Sequence, residues 1–347
     1  MSTPRLSGFS MPPEWMPHER TWMEFPSANF TFTVDDGWLD HCRGVWASVA
    51  NTIARFEPVS MVCNLGESSI ARELLDPSIE LHETPTGDAW CRDSGPTFLT
   101  HPDGRLGATL WTFNGWGDRG FSDPTDERHA GAFIAGLAGA EVFSSSMVNE
   151  GGGIHVDGEG TVIVTETVQL DERRNPTWNS EGVETELKSF LDVSNVIWVP
   201  RGLTTDYGNY GTNGHIDIVT CFAKPGVLLA HVQQDPAHPD FEVSTEYLGI
   251  LRSSTDAHGR PLEVVEVPAP RTLETDEGFV DWSYLNHYIC NGAVILCSFD
   301  DPNDEVAADI LRRVYTDREI VLHDARDIFA CGGGIHCITQ QQPKVST

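Results

Sequence analysis

The sequence predicts an α/β fold in which five similar units close into a ring. First, Gly151-Gly152-Gly153-Ile154-His155 repeats Gly332-Gly333-Gly334-Ile335-His336 residue for residue, the mark of one structural unit used at least twice. Second, the order strand, Gly-containing turn, strand, helix, strand recurs down the chain. Third, Thr21-Trp22-Met23-Glu24-Phe25 reads as a strand without a hairpin of its own, while the last unit lacks a returning strand. Pairing residues 21–25 with 335–339 closes the ring and removes open sheet edges.

The elements follow in order. Residues 1–12 read as a flexible tail and 13–343 as a single domain. From Asp36, Trp38, Cys42, Val45, Val49, Ile53 and Phe56 recur at three- and four-residue spacing, a helix that ends before Pro58. A buried strand over 59–63, a helix over 67–75 and a strand over 79–81 complete the first unit. The second has a turn at Asp103-Gly104, helix 126–138 and strand 141–147. The third turns at Asp157-Gly158 and continues through strand 162–165, helix 183–191 and strand 196–199. The fourth turns at Pro225-Gly226, with strand 227–230, helix 242–251 and strand 263–267. The fifth turns at Asn291-Gly292, with strand 293–298, helix 304–314, strand 320–322 and a final strand that contains Cys337.

Composition narrows the function. With 347 residues, 39% apolar, 10 Trp and 16 Phe, the chain can bury a large core. Its 22 Lys plus Arg against 52 Asp plus Glu leave a formal charge of −30, without the basic footprint that nucleic acid requires. Such a field attracts cations, although surface solvation alone accounts for much of it. No secretory leader and no membrane-length apolar run is present, so the eight cysteines are expected as free thiols of a cytoplasmic protein.

One chemically loaded position falls in each of four units: Asp93, Glu150, His215 with Asp217, and Cys337. Equivalent positions in a ring converge on its axis. His215 and Asp217 are two apart and share a face if the segment is a strand, and extended backbone would send Arg92 and Asp93 to opposite sides. Asn286, His287 and Asn291 lie near the corresponding place in the remaining unit without an evident role. Trp90 and Trp116 flank these motifs as candidate pocket walls. A zinc site at Cys331, His336 and Cys337 is disfavoured, because neither Cys-x-x-Cys nor His-Glu-x-x-His occurs.

The motifs Pro13-x-Trp15-x-Pro17-His18-x-x-Thr21-Trp22, Trp90-x-Arg92-Asp93-x-Gly95-Pro96-Thr97, Glu150-Gly151-Gly152, Thr212-Asn213-Gly214-His215-Ile216-Asp217 and Gly333-Gly334-Ile335-His336-Cys337-Ile338-Thr339-Gln340-Gln341-Gln342-Pro343 resemble those of the agmatine deiminase family. That family belongs to the guanidino-group-modifying enzymes and is related to bacterial peptidylarginine deiminases. The resemblance spans about residues 11–343. It implies a five-bladed, pseudo-symmetric α/β propeller of ββαβ units, the pentein type, closed by the N-terminal strand. It also implies hydrolysis of a small cationic guanidine, most simply agmatine to N-carbamoylputrescine and ammonia, without metal or organic cofactor.

By position, the resemblance makes Cys337 the nucleophile, His215 the general acid/base, Glu150 a second proton handler and guanidinium binder, and Asp93 and Asp217 the guanidinium clamp. Trp90, Trp116, Arg92 and Gly334 are expected at the substrate. Neither nucleic acid nor membrane is an expected partner, and self-association into a homodimer or larger homo-oligomer is compatible with the sequence. Two departures concern substrate choice. The segment before Thr212-Asn213-Gly214-His215 is Thr205-Asp206-Tyr207-Gly208-Asn209-Tyr210-Gly211, with one acid where the family has a run, and Phe25 stands where a tryptophan is usual. Another alkylguanidine or guanidino acid, and amidino transfer to an amine, are the alternative reactions. A guanidine-binding protein without catalysis fits the complete Cys, His, Glu, Asp and Asp set less well.

Overall fold

Alternation of apolar residues and Gly-centred turns sorts the strands into five main sheets, with a further two-stranded one among the described residues. The computed structural model describes residues 2–33, 37–118, 124–208, 210–276 and 278–345, so Asp36 and Asn209 lie outside the described residues. The first sheet has the order Thr339–Pro343, His18–Glu24, Val59–Cys63, Glu80–Glu83. The others have three strands each: Thr97–Thr100, Leu106–Thr112, Glu141–Val148; His155–Val156, Thr161–Thr165, Asn195–Val199; Thr220–Lys224, Val227–Val232, Glu263–Pro268; and Tyr288–Cys290, Ala293–Ser298, Glu319–Asp324.

Each three-stranded sheet begins with an antiparallel hairpin and ends with a parallel strand. The hairpin turns place Gly226 at φ 74° and Gly292 at φ 78°, conformations that a side chain would disfavour. A parallel neighbour requires a crossover, and the helices Ala130–Leu137, Ser180–Leu191, Asp240–Ser253 and Asp304–Val314 supply it. The last has Asp304 and Glu305 in its first turn and Arg312 and Arg313 in its last, which complements the helix dipole. Trp38–Ile53 crosses over within the first sheet and buries Leu39, Cys42, Trp46, Val49, Ala50 and Ile53 on one face. A small hairpin, Glu274–Thr275 with Gly278–Phe279, and the helix Arg326–Ala330 are additions to the elements read from the sequence.

The expected closed propeller needs correction. Residues 18–24 do pair antiparallel with the C-terminal strand, Trp22 opposite Gln340 and Met23 opposite Thr339. That pairing completes one four-stranded sheet, and among the described residues no strand ladder closes on itself or runs on into the next sheet. The physical reason is that residues 18–24 are already bonded on both sides, to Thr339–Pro343 and to Val59–Cys63. Open edges persist and are protected by charge instead: four of the five outer strands begin with glutamate, at Glu80, Glu141, Glu263 and Glu319. Like charges there discourage edge-to-edge association.

The segment read as a flexible tail is held down. Phe9 is fully buried among Leu99, Phe143 and Phe190, and Ser10 bridges to Thr100. Among the described residues no helix is long and apolar enough to cross a membrane. Truncation of a buried aromatic costs about 3–5 kcal/mol. Phe9→Ala is therefore expected to lower the urea midpoint by an amount equivalent to that range; a midpoint within error of the parent would show that the first residues add nothing to the core.

Candidate active site

The chemically loaded residues occupy equivalent places, the tight turns that lead into the first strand of each sheet. Asp93 lies in the short helix Cys91–Ser94 before Thr97–Thr100, and Glu150 precedes the 3-10 turn Gly151–Gly153. His215 caps the 3-10 turn Ile216–Ile218, which contains Asp217, before Thr220–Lys224. Cys337 lies in the turn before Thr339–Pro343. The strand geometry expected for His215 with Asp217, for Arg92 with Asp93 and for Cys337 is thus replaced by turns. Turns suit the chemistry, because they let backbone and side chain converge on one point.

Glycine makes that convergence possible. A Cβ on Gly152 would lie 2.4 Å from His215 Nδ1 and 3.0 Å from Asp217 Oδ2, and one on Gly333 would lie 2.7 Å from the Trp90 ring and 3.1 Å from Cys337 Sγ. The repeated glycines leave room for the reactive groups on both sides of the site.

Around the thiol, Asn286 Nδ2 donates to Cys337 Sγ at 3.2 Å, and Sγ lies 3.5 Å from Asp217 Oδ2. Asp217 Oδ2 also lies 2.9 Å from His336 Nδ1, whose Nε2 lies 2.8 Å from Glu14 Oε1. Asp93 accepts from Trp116 Nε1 at 2.8 Å and from the Gly152 N–H at 2.9 Å. Trp116 holds a left-handed backbone, φ 57° and ψ 39°, which costs roughly 1–3 kcal/mol and places strain at the site. His215 Nε2 lies 3.3 Å from Glu150 Oε2 and its Nδ1 3.9 Å from Asp93 Oδ2. Glu150 is fully buried and accepts from Arg174 Nε at 3.0 and 3.1 Å. Two buried atoms, His215 Nδ1 and Asp217 Oδ1, have no hydrogen-bond partner among the described residues.

These contacts set the charges. Burial, then Asp217 and Asp93, pushes the Cys337 thiol well above its ordinary range, which favours the neutral thiol. Burial opposes the His215 imidazolium, but Asp93 and Glu150 prevail and raise it to about 9. Burial works to protonate Glu150, whereas Arg174 and His215 hold it below the usual carboxylate range. Asp217 is likewise held low against burial by His336 and His215. Asp93 differs: burial raises it, with Glu150 and Asp217 adding to the rise despite His215.

Of the residues singled out in the sequence, Cys337, His215, Glu150, Asp93 and Asp217 come together. Trp90 and Trp116 line a small pocket with Asp93, Thr31, Tyr210, Thr212 and Cys337. Arg92 instead serves the backbone: its N–H donates to the Cys337 carbonyl at 3.1 Å and its Nε to the His336 carbonyl at 3.2 Å. Gly334 packs where a Cβ would strike Asn286 Oδ1 at 2.5 Å, a place that keeps Asn286 against Cys337. Glu14, Arg174, Asn286 and His336 were missed as working residues. Asn286 had a signal in its place in the unit that otherwise lacks a chemical group, and His336 in the internal repeat beside Cys337.

Two outcomes test this arrangement. Gly152→Ala is expected to displace the His215 ring and lower turnover on the order of 100-fold, while Gly136→Ala, a helical position with open space around it, leaves turnover unchanged. Equal activity in both variants would remove the steric argument. Because the folded His215 value is raised from 6.5 to about 9, its charge contributes stability that is fully present below pH 6.5 and lost as pH rises through about 9. His215→Ala should flatten that alkaline fall in thermal midpoint, and an unchanged pH profile would contradict it.

Known proteins share this architecture. The family profile of Porphyromonas-type peptidyl-arginine deiminases matches residues 10–343. A Streptomyces avermitilis protein provisionally named an agmatine deiminase is 58% identical over 346 residues, 99% of this chain and 100% of the relative. The agmatine deiminase of Pseudomonas aeruginosa strain LESB58 is 38% identical, across 99% of this chain and 97% of its own. The solved structure of Enterococcus faecalis agmatine deiminase superposes with a TM-score of 0.93 at 33% identity, covering 99% of this chain and 98% of that one. With the buried thiol, imidazole and carboxylates gathered at one set of turns, these likenesses establish that the chain belongs to the agmatine deiminase and peptidylarginine deiminase family of guanidino-modifying proteins.

Proposed function

We propose that the chain hydrolyses the guanidinium of agmatine, giving N-carbamoylputrescine and ammonia, with residues 13–343 acting as one catalytic unit. The observation that carries this reading is the pair of buried carboxylates, Asp93 and Asp217, beside a buried neutral thiol, with Asp217 Oδ1 and His215 Nδ1 unpartnered. A planar cation that donates N–H bonds satisfies Asp217 Oδ1 and offsets the carboxylate charge. The names of the relatives support agmatine as the bearer of that cation. No disulfide joins the eight cysteines, and on that basis we place the reaction in a reducing cytoplasm.

The reaction follows from the charges. The arriving cation stabilises the Cys337 thiolate, and the Asn286 Nδ2–H already faces the sulfur. The thiol proton passes to solvent. Thiolate attacks the guanidinium carbon perpendicular to its plane, forming the C–S bond. His215, protonated at neutral pH, donates to the departing nitrogen, which leaves as ammonia and yields an amidino-thioether. Neutral His215 then takes a proton from water as its oxygen attacks the same carbon. The C–S bond breaks, the remaining hydroxyl proton passes to the leaving Cys337 sulfur, and the oxygen remains as the carbonyl of the ureido product.

The relevant assay measures ammonia and ureido product with agmatine, arginine, guanidinobutyrate and simple alkylguanidines. Cys337→Ala should abolish turnover and still bind the cation by calorimetry. His215→Ala should slow adduct formation or breakdown in intact-mass measurements, and normal turnover would remove His215 from the mechanism. Thiolate absorbance should grow at lower pH when a non-reacting guanidine is added, whereas an unmoved titration would refute substrate-assisted ionisation. Ammonia released only when an acceptor amine is supplied would favour amidino transfer.

A further inference from the structure

A second cavity, about 810 Å³ including its open mouth, adjoins the pocket of Cys337 and shares Tyr210 and Gly332 with it. The two form one path from the thiol outward. Residues 205–208 and 210–212 build much of that path: Tyr210 and Thr212 face the inner part, and Thr205, Gly208, Tyr210 and Gly211 the outer. Phe279, Trp282 and Phe329 supply apolar wall, suited to a methylene chain.

Two charged side chains line the outer cavity, Asp281 and Arg326. Arg326 is already neutralised. Its Nε lies 3.0 and 3.1 Å from the two Asp324 oxygens and its Nη1 3.7 Å from Asp300. Asp281 therefore sets the sign of the cavity. Burial, then Asp206 and Asp240, pushes its carboxyl up from the ordinary range, so a cation placed there relieves an existing repulsion. Asp206 is engaged with the N–H groups of Thr212, Gly214 and His215, and Asp240 with that of Thr204, which leaves Asp281 as the acid facing the path.

We infer that Asp281 determines substrate choice, accepting the distal primary ammonium of an aminoalkylguanidine whose guanidinium is held at Cys337. The assignment rests on the deimination proposed above. It also explains how the altered loop can keep such specificity: the acid that reads the tail comes from a different segment, beyond the Gly278–Phe279 strand. A substrate with an α-carboxylate would bring that group to Asp281, with only a neutralised Arg326 nearby.

Asp281→Asn is tested with agmatine and with n-pentylguanidine, which lacks the ammonium. Loss of a hydrogen bond to a charged group corresponds to about a ten- to hundred-fold fall in kcat/KM for agmatine, carried by KM, with n-pentylguanidine unchanged. Equal losses on both substrates, or none on agmatine, would overturn the assignment. If the variant fails to fold, the unmodified enzyme decides: a preference for agmatine of about tenfold or more supports it, and equal kcat/KM sinks it. If neither guanidine releases ammonia, the deimination reading falls separately, and calorimetry of agmatine against n-pentylguanidine on Cys337→Ala still reads the ammonium site, with equal affinities refuting it.

Discussion

The rest of the site depends on keeping several carboxylates ionised out of water. Glu14, Asp93, Glu150 and Asp217 are all buried. An unpaired buried carboxylate would be protonated or would destabilise the fold, so each is matched to a cation or to N–H donors. Arg174 holds Glu150, His336 bridges Asp217 to Glu14, and Asp93 takes donors from Trp116 and Gly152. The cations in this network are few, which leaves the region able to accept another. That incomplete neutralisation raises His215, suppresses the thiolate and favours a cationic ligand.

Sterics then decide where those charges point. Gly152 and Gly333 lie where side chains would collide with His215 and with Trp90 and Cys337. Arg92 ties its own turn to that of Cys337 through its backbone N–H and, by its side chain, through the His336 carbonyl, so truncating the side chain removes one of these two ties. Asn286 joins the same turn from another sheet, accepting from the His336 N–H at 3.0 Å while its amide faces the sulfur. Positioning of this kind is worth several kcal/mol only when the supporting groups are themselves fixed.

The acidic surface has a related logic. Outer strands remain unpaired on one side, and glutamates at their beginnings keep those edges from meeting. Part of the −30 charge thus serves the fold. The same excess draws cations toward a mouth whose own charged lining is Asp281 and a neutralised Arg326.

The sequence by itself determined the repeating order of elements, the Gly-centred turns and the candidate residues that the fold gathers at one place. Periodicity, turn chemistry and the copied Gly-Gly-Gly-Ile-His are local properties, so helix Asp304–Val314 and strand Ala293–Ser298 were legible to the residue. Only the tertiary structure decided the rest. Separate sheets replaced closure because residues 18–24 were already bonded on both sides within their own sheet. Turns replaced strands at His215 and Cys337 because capping and steric fit depend on neighbours distant in sequence. Glu14 and Arg174 carry no local mark of function, and the place of His336 beside Cys337 does not reveal its partner; these roles arise from pairing across the fold, 322 residues apart for His336 and Glu14.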